Sequence, residues 1–312
     1  MTGQPRPPIL IAGPTASGKS ALALQIAARC GGQIINADSM QVYRELSVLT
    51  ARPSPEDLAR APHALYGHVP AAEAYSVARW LGDVARALQA AQAAGLSPVI
   101  VGGTGLYFKA LLEGLSPVPE IPAVIRARWR ATANELGAIA LHQELAVRDP
   151  VMAGRLAPAD VQRVTRALEV IEATGRSLAA WQSVPGKPLL EAGACMRLVI
   201  EAPRALLQAR ADRRFDQMMA AGALDEVRHL MGLGLDLKLP VFGALGVAPL
   251  ADLLAGRMDR EAAVASGKLQ TRHFVKRQQT WLKRNMIAWK IVKLNEDGKI
   301  DAESMQLIDG IN

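Results

Sequence analysis

Cysteine is scarce in this chain: of 312 residues only Cys30 and Cys195 carry a thiol. Two thiols cannot form a four-ligand zinc cluster, and these lack the Cys-x-x-Cys spacing of redox or metal sites, so both read as reduced packing residues. Long apolar runs are missing too. No stretch of ~20 uninterrupted apolar residues could span a bilayer, and Met1 to Pro8 has neither the positive region nor the apolar run of a signal peptide. A cytoplasmic protein with no membrane association and no obligate protein partner is expected. The histidines, His63, His68, His142, His229 and His273, show no metal-ligand spacing and receive no catalytic role. Acidic residues are absent between Glu261 and Glu296, whereas Lys268, Arg272, Lys276, Arg277, Lys283, Arg284, Lys290 and Lys293 are all basic. Over the whole chain, 36 Lys+Arg against 29 Asp+Glu leave a charge of +7. Such an excess raises the encounter rate with polyanions and suits nucleic acid or phosphorylated substrates.

A hydrophobic content of 50% supports a substantial core. Pro8 to Ala12 is a short apolar run that ends in a glycine loop, and Ala21 to Cys30 continues as an Ala/Leu-rich helix, giving strand, loop, helix. Gln33 to Ala37 and Pro98 to Val101 read as further strands, separated by a helix from Ser76 to Ala94 that Gly95 stops. Alternating strands and helices indicate an α/β fold of the P-loop NTPase-like kind, with a mostly parallel sheet and helices on both faces. From Ser116-Pro117-Val118-Pro119 to about Arg176 only helical patterns appear, which predicts a helical insertion. Met196 to Ile200 reads as a returning strand, followed by amphipathic helices over Pro203 to Met231, Ala248 to Leu254 and Glu261 to Asn285. The expected division is 1–116 and 191–312 for the core, and 117–190 for the insertion.

Gly13-Pro14-Thr15-Ala16-Ser17-Gly18-Lys19-Ser20 fits the phosphate-binding P-loop and lies where such a loop must, between strand and helix. Its glycines let backbone amides turn inward around phosphate oxygens, and the following helix N-terminus adds its dipole. Lys19 is expected on the terminal phosphate and Ser20 on Mg²⁺. A P-loop specifies diphosphate or triphosphate without saying which, so other residues must supply the reaction.

In a parallel sheet of this hand, ligands bind outside the carboxyl ends of the strands. Asp38 follows the second strand and Gly102-Gly103-Thr104 the third, so both face the P-loop edge. Asp38 fits a general base, a Mg²⁺ ligand through water, or a helix cap for Ser39-Met40-Gln41; Thr104 fits a ligand contact or a simple turn. Arg210, Arg213 and Arg214 share a helix, with 210 and 214 one turn apart on one face, where they could absorb the charge of a leaving diphosphate. Arg272, Lys276, Gln279 and Lys283 form one stripe of a basic helix that could meet RNA phosphates. In the insertion, Gln162-Arg163-Val164-Thr165-Arg166 offers groups suited to base edges and phosphates, and Arg126 stands where the insertion begins.

Four ordered motifs then carry a resemblance: Gly13 to Ser20, Asp38-Ser39-Met40-Gln41-Val42-Tyr43-Arg44, Gly102-Gly103-Thr104-Gly105-Leu106-Tyr107, and Thr271-Arg272 through Lys276-Arg277-Gln278-Gln279-Thr280-Trp281-Leu282. Together, over about residues 8 to 290, the chain resembles the bacterial tRNA dimethylallyltransferase family. The resemblance implies that dimethylallyl diphosphate occupies the P-loop and that the acceptor is the exocyclic amine of the adenine 3′ of the anticodon in tRNA. It also implies Asp38 as the base, with Thr15, Lys19 and Ser20 holding donor and Mg²⁺, and Arg210 binding the diphosphate. Thr104, Arg126, Asp38 to Gln41 and Gln162 to Arg166 would contact the tRNA, and a monomer is implied. A stacked loop adenine must be flipped out to reach a buried donor.

Some positions depart from the family pattern: Gly246-Val247-Ala248-Pro249 stands where relatives have Gly-Tyr and a basic residue, and Ser47-Val48-Leu49-Thr50-Ala51-Arg52-Pro53 where they have Asp-Ile-Gly-Thr-Ala-Lys-Pro. His63-Ala64-Leu65 replaces their His-His-Leu. Two other readings stay open at this point: a small-molecule P-loop kinase with the insertion as a lid, and a tRNA-binding relative impaired in catalysis.

Overall fold

The computed structural model describes residues 7–311; the absence of a signal-peptide pattern at the start of the chain concerns residues that lie mostly outside this range. Six strands, β1 (Ile9–Ala12), β2 (Gly32–Asn36), β3 (His63–Ala64), β4 (Ser97–Gly102), β5 (Met196–Glu201) and β6 (Lys290–Lys293), form one sheet in the order β3-β2-β4-β1-β5-β6. All five pairings are parallel, so the α/β class expected from the motif order is the class observed.

The strand side chains alternate between two cores, as the pleat requires. Ile9, Ile11, Ile34, Val99, Val101, Leu198 and Ile200 pack with Leu22, Ile26 and Ala27 of the helix Lys19–Cys30. Leu10, Ala12, Ile35 and Ile100 point the other way, to Trp80, Val84 and Ala87 of the helix Val77–Ala93 and to Leu282, Met286 and Trp289. Burial on both faces explains why these strands read as continuous apolar runs. Trp80 is fully buried, stacks on Tyr107 at 4.3 Å, and donates its indole N–H to the Asn36 carbonyl at 2.9 Å.

The chain divides into two compact units. One runs to Leu112 and resumes at Leu189; the other is Glu113–Pro188. The second has a core of its own, built from Trp129, Leu141, Leu145, Val164 and Leu168 on the helices Ala123–Arg148 and Val161–Thr174, with Ile121 from the segment before them. Among the described residues of this unit there is no strand, as its sequence predicts.

Three differences from the sequence reading have local causes. Pro203 to Met231 is two helices, Arg204–Ala220 and Ala223–Gly232, because Gly222 takes a left-handed φ of 97° between them. The strand β3 has two residues, too short for a periodic signal. The helix expected over Glu261 to Asn285 is observed as Arg260–Asn285, but Lys290 and Lys293 beyond it belong to the edge strand β6, which no sequence pattern marked.

Glu226 anchors the loop that follows the second strand. Its carboxylate accepts the backbone N–H groups of Ser47, Val48 (2.9 Å) and Leu49 (2.9 Å), so a helix side chain closes a turn nearly 180 residues away in sequence. Hydrogen bonds to a charged acceptor contribute about 1.5–3 kcal/mol each at most, and the freed amides recover part of this from water. Glu226→Ala is expected to lower the unfolding free energy by about 2 kcal/mol in urea titrations; an unchanged midpoint would show that the turn does not depend on this carboxylate.

Candidate active site

The loops after β1, β2 and β4 leave one edge of the sheet and satisfy their backbone groups on one another. Gly13 N–H donates to the Gly102 carbonyl at 3.3 Å, Ala37 N–H to Val101 at 2.8 Å, and Thr104 N–H to Ala37 at 3.3 Å. Gly102 permits this approach, since a Cβ there would lie 2.0 Å from the Ala37 carbonyl oxygen. Ser39 N–H donates to the Thr104 hydroxyl oxygen at 3.0 Å, joining two of the proposed tRNA-contact positions directly.

Within the P-loop, Ser17 N–H donates to the Pro14 carbonyl at 3.2 Å, and Ala16 sits at φ 66°, an uncommon conformation for a residue with a Cβ. Such strain is concentrated at ligand-binding loops. Lys19 opens the helix Lys19–Cys30 and its Nζ donates to the Pro14 carbonyl at 3.4 Å. Lys19 is half-buried, and the loss of water around its ammonium lowers its pKa to about 8; Asp38 acts against the fall and Arg214 adds to it. Ser20 is exposed in the first helical turn.

Asn36 positions Asp38. Fully buried at the end of β2, it accepts Asp38 N–H at 2.8 Å and donates to the carbonyls of Asp38 (2.9 Å) and Leu65 (3.0 Å). Asp38 is half-buried, and its Oδ1 accepts Met40 N–H at 3.0 Å, which makes it the cap of a turn. Ser39 to Gln41 form that turn; they do not start a helix.

The arginines divide. Arg210 donates from Nη2 to the Gly298 carbonyl at 3.0 Å, a contact with the turn after β6. Arg214, one turn on, shares the electrostatic neighbourhood of Asp38 and Lys19: burial pushes its guanidinium pKa down, and Asp38 opposes that shift. The sequence reading singled out Arg210 for the phosphate; of the two, it is Arg214 whose charge is felt by Lys19 and that feels Asp38.

On the helix Arg260–Asn285, Arg272 is ion-paired to Asp212, with Nε 2.9 Å from the carboxylate, and Gln279 donates to Ala202 at 3.2 Å. Lys276 and Lys283 are exposed. The opposite face carries a residue that the sequence reading missed. Gln278 is 6% exposed, accepts Thr15 N–H at 2.8 Å and donates to the Gly103 carbonyl at 3.0 Å. Its signal was present: it lies at helical spacing with Thr271, Val275 and Leu282, so a polar side chain occupies a core stripe.

The remaining expected contacts lie in the second unit. Gln162, Arg163 and Arg166 are exposed, but Val164 is fully buried, and the Thr165 hydroxyl donates inward to the Val161 carbonyl at 2.7 Å. Arg126 donates to Ile121 at 3.0 Å and lies 3.6 Å from Glu120. Of the departures, Leu49 is 7% and Val247 1% exposed in one apolar cluster with Phe215, whereas Ala248 faces outward. A larger residue at 49 and a smaller one at 247 thus share a core.

A glycine loop between β1 and its helix, opposed by Asp38 and flanked by the half-buried cations Lys19 and Arg214, defines a P-loop α/β protein. A model of the IPP transferase family matches residues 41–285, and one described as isopentenyl transferase matches residues 8–65. A tRNA dimethylallyltransferase of Parvibaculum lavamentivorans is 50% identical over 97% of this chain and 96% of its own. One from Azorhizobium caulinodans is 52% identical over 90% of each. The crystal structure of a Bacillus halodurans tRNA isopentenylpyrophosphate transferase superposes with a TM-score of 0.68 at 30% identity, over 98% of this chain and 95% of the other. A eukaryotic dimethylallyltransferase acting on tRNA gives 0.79 at 25% identity, over 97% and 77%. The chain belongs to the tRNA dimethylallyltransferase family.

The lowered pKa of Lys19 has a sign that can be checked. An anion that requires the ammonium loses affinity as pH rises through about 8, because the free protein must then take up a proton to bind it. Sulfate keeps its charge over this range, so its dissociation constant, measured by calorimetry without Mg²⁺, is expected to rise about tenfold between pH 7 and 9. A flat profile would contradict a titrating Lys19.

Proposed function

We propose that this chain transfers a dimethylallyl group from dimethylallyl diphosphate to the exocyclic amine of the adenine 3′ of the anticodon in tRNA. The observation that carries this reading is the convergence on one edge of a P-loop, a carboxylate from the neighbouring strand and the cations Lys19 and Arg214. The new C–N bond forms as the allylic C–O bond breaks; diphosphate leaves, and the amine proton passes to Asp38. An adenine amine is a weak nucleophile with a delocalised lone pair, so alignment and stabilisation of the leaving group must supply most of the rate.

Thr15, Lys19 and the loop amides hold the diphosphate, and Arg214 absorbs its developing charge. Ser20 would hold Mg²⁺, which when bound neutralises further charge on the donor. Among the described residues no group of three or more His, Cys, Asp or Glu could hold a metal. A single Ser20 hydroxyl beside a bound diphosphate would suit Mg²⁺, which binds through one or two protein oxygens with phosphates and water completing its shell. Exposed Lys276 and Lys283, and Gln162, Arg163 and Arg166 of the second unit, are the groups offered to RNA phosphates and bases. Among the described residues no helix is long and apolar enough to cross a membrane. A kinase would fit the P-loop alone, but membership of a prenyltransferase family disfavours it.

The test is to incubate the protein with Mg²⁺, labelled dimethylallyl diphosphate and unmodified tRNA bearing adenine after the anticodon. Label is expected on that adenine; ATP-dependent phosphorylation without prenyl transfer would overturn the reading. Asp38→Asn should lower turnover by about 100-fold or more with tRNA affinity nearly unchanged. Unaltered turnover would remove the base from Asp38. Arg214→Gln should also cost about 100-fold in donor kcat/KM, well beyond the loss from Arg210→Gln; the reverse order would return the diphosphate to Arg210.

A further inference from the structure

The Gln278 side chain reaches from the basic helix to the donor loop, and both ends of its amide are in use. Its oxygen accepts Thr15 N–H at 2.8 Å and its nitrogen donates to Gly103 carbonyl at 3.0 Å, both in buried surroundings. The two partners are on different loops, after β1 and after β4. Neighbours on the same stripe, Val275 and Leu282, show that an apolar residue would pack at this position, so packing alone does not account for an amide. Its chemical content is the pairing of one donor with one acceptor that would otherwise be buried unsatisfied. The fit is tight: a Cβ on Gly103 would lie 2.3 Å from Gln278 Nε2.

We infer that Gln278 is a positioning residue for the donor: by bonding Thr15 and Gly103 together it fixes the P-loop relative to the loop that carries Thr104. The inference rests on the prenyl-transfer reading for its kinetic consequence, but not for its effect on phosphate binding. Because Thr15 N–H is committed to Gln278 and Ser17 N–H to Pro14, those amides hold the loop and the others along it are left for the anion. The same helix shows Lys276 and Lys283 to solvent, so one rigid element presents basic groups outward and fixes the phosphate loop inward. Loss of such support leaves a site formed but loose, and displacements of the order of 1 Å cost large factors in binding and rate.

The test uses Gln278→Met, which keeps the length of the side chain and removes both polar groups. Binding of inorganic diphosphate with Mg²⁺ is measured by calorimetry, tRNA binding by filter retention, and prenyl transfer by steady-state kinetics. The expected result is a diphosphate Kd and a donor KM raised about tenfold or more, with tRNA Kd within about twofold of wild type. Should Gln278→Met not fold, Gly103→Ala displaces the same amide from the other side and is expected to give the same split. Diphosphate Kd and donor KM within about twofold of wild type would overturn the inference. So would a uniform loss in which donor and tRNA affinities fall together with the melting temperature. If wild-type protein transfers no prenyl group, the functional reading fails, while the diphosphate measurement still decides the role of Gln278.

Discussion

Everything at this site depends on how three loops satisfy their backbone polar groups at the carboxyl edge of a parallel sheet. Buried amides and carbonyls must find partners, and here the loops find them in each other: Gly13 on Gly102, Ala37 on Val101, Thr104 on Ala37. Side chains extend the pairing. Asn36 ties Asp38 to the end of β2, and Gln278 ties the P-loop to Gly103. These bonds fix the loops that carry the chemistry-bearing groups, and fixed groups are the condition for electrostatic preorganisation.

The electrostatics follow from that closure. Lys19 and Arg214 are both disfavoured as cations by burial, and Asp38 favours both. Two partly desolvated cations with one carboxylate leave an unmet demand for negative charge, which a diphosphate satisfies. On the proposed reading, a bound diphosphate would take over the role of counter-charge to the cations and leave Asp38 to accept a proton.

Much of this was legible in the sequence, and the parts that were not share a physical reason. The P-loop, Asp38 and the Gly-Gly-Thr turn are local motifs whose position relative to strands follows from parallel topology, so their convergence could be read in advance. Val164 and Arg272 could not be placed, because a stretch of helix lists its residues without saying which face is buried or which acid, here Asp212, lies opposite. The choice between Arg210 and Arg214 depends on the turn at Gly298, 88 residues further on. Gln278 and Asn36 act through backbone partners, and backbone groups are the same for every residue type. The strand β6 was hidden because Lys290-Ile291-Val292-Lys293 buries only Val292, leaving too little alternation to register as a strand.

If the loops are pinned as one body, the amide of Thr15 must be shut off from water in the ligand-free protein. Native-state hydrogen exchange at that single amide measures this directly. A pinned P-loop predicts protection comparable to that of Ile11 and Ile100 in the central strands; exchange at the rate of an open loop would contradict it.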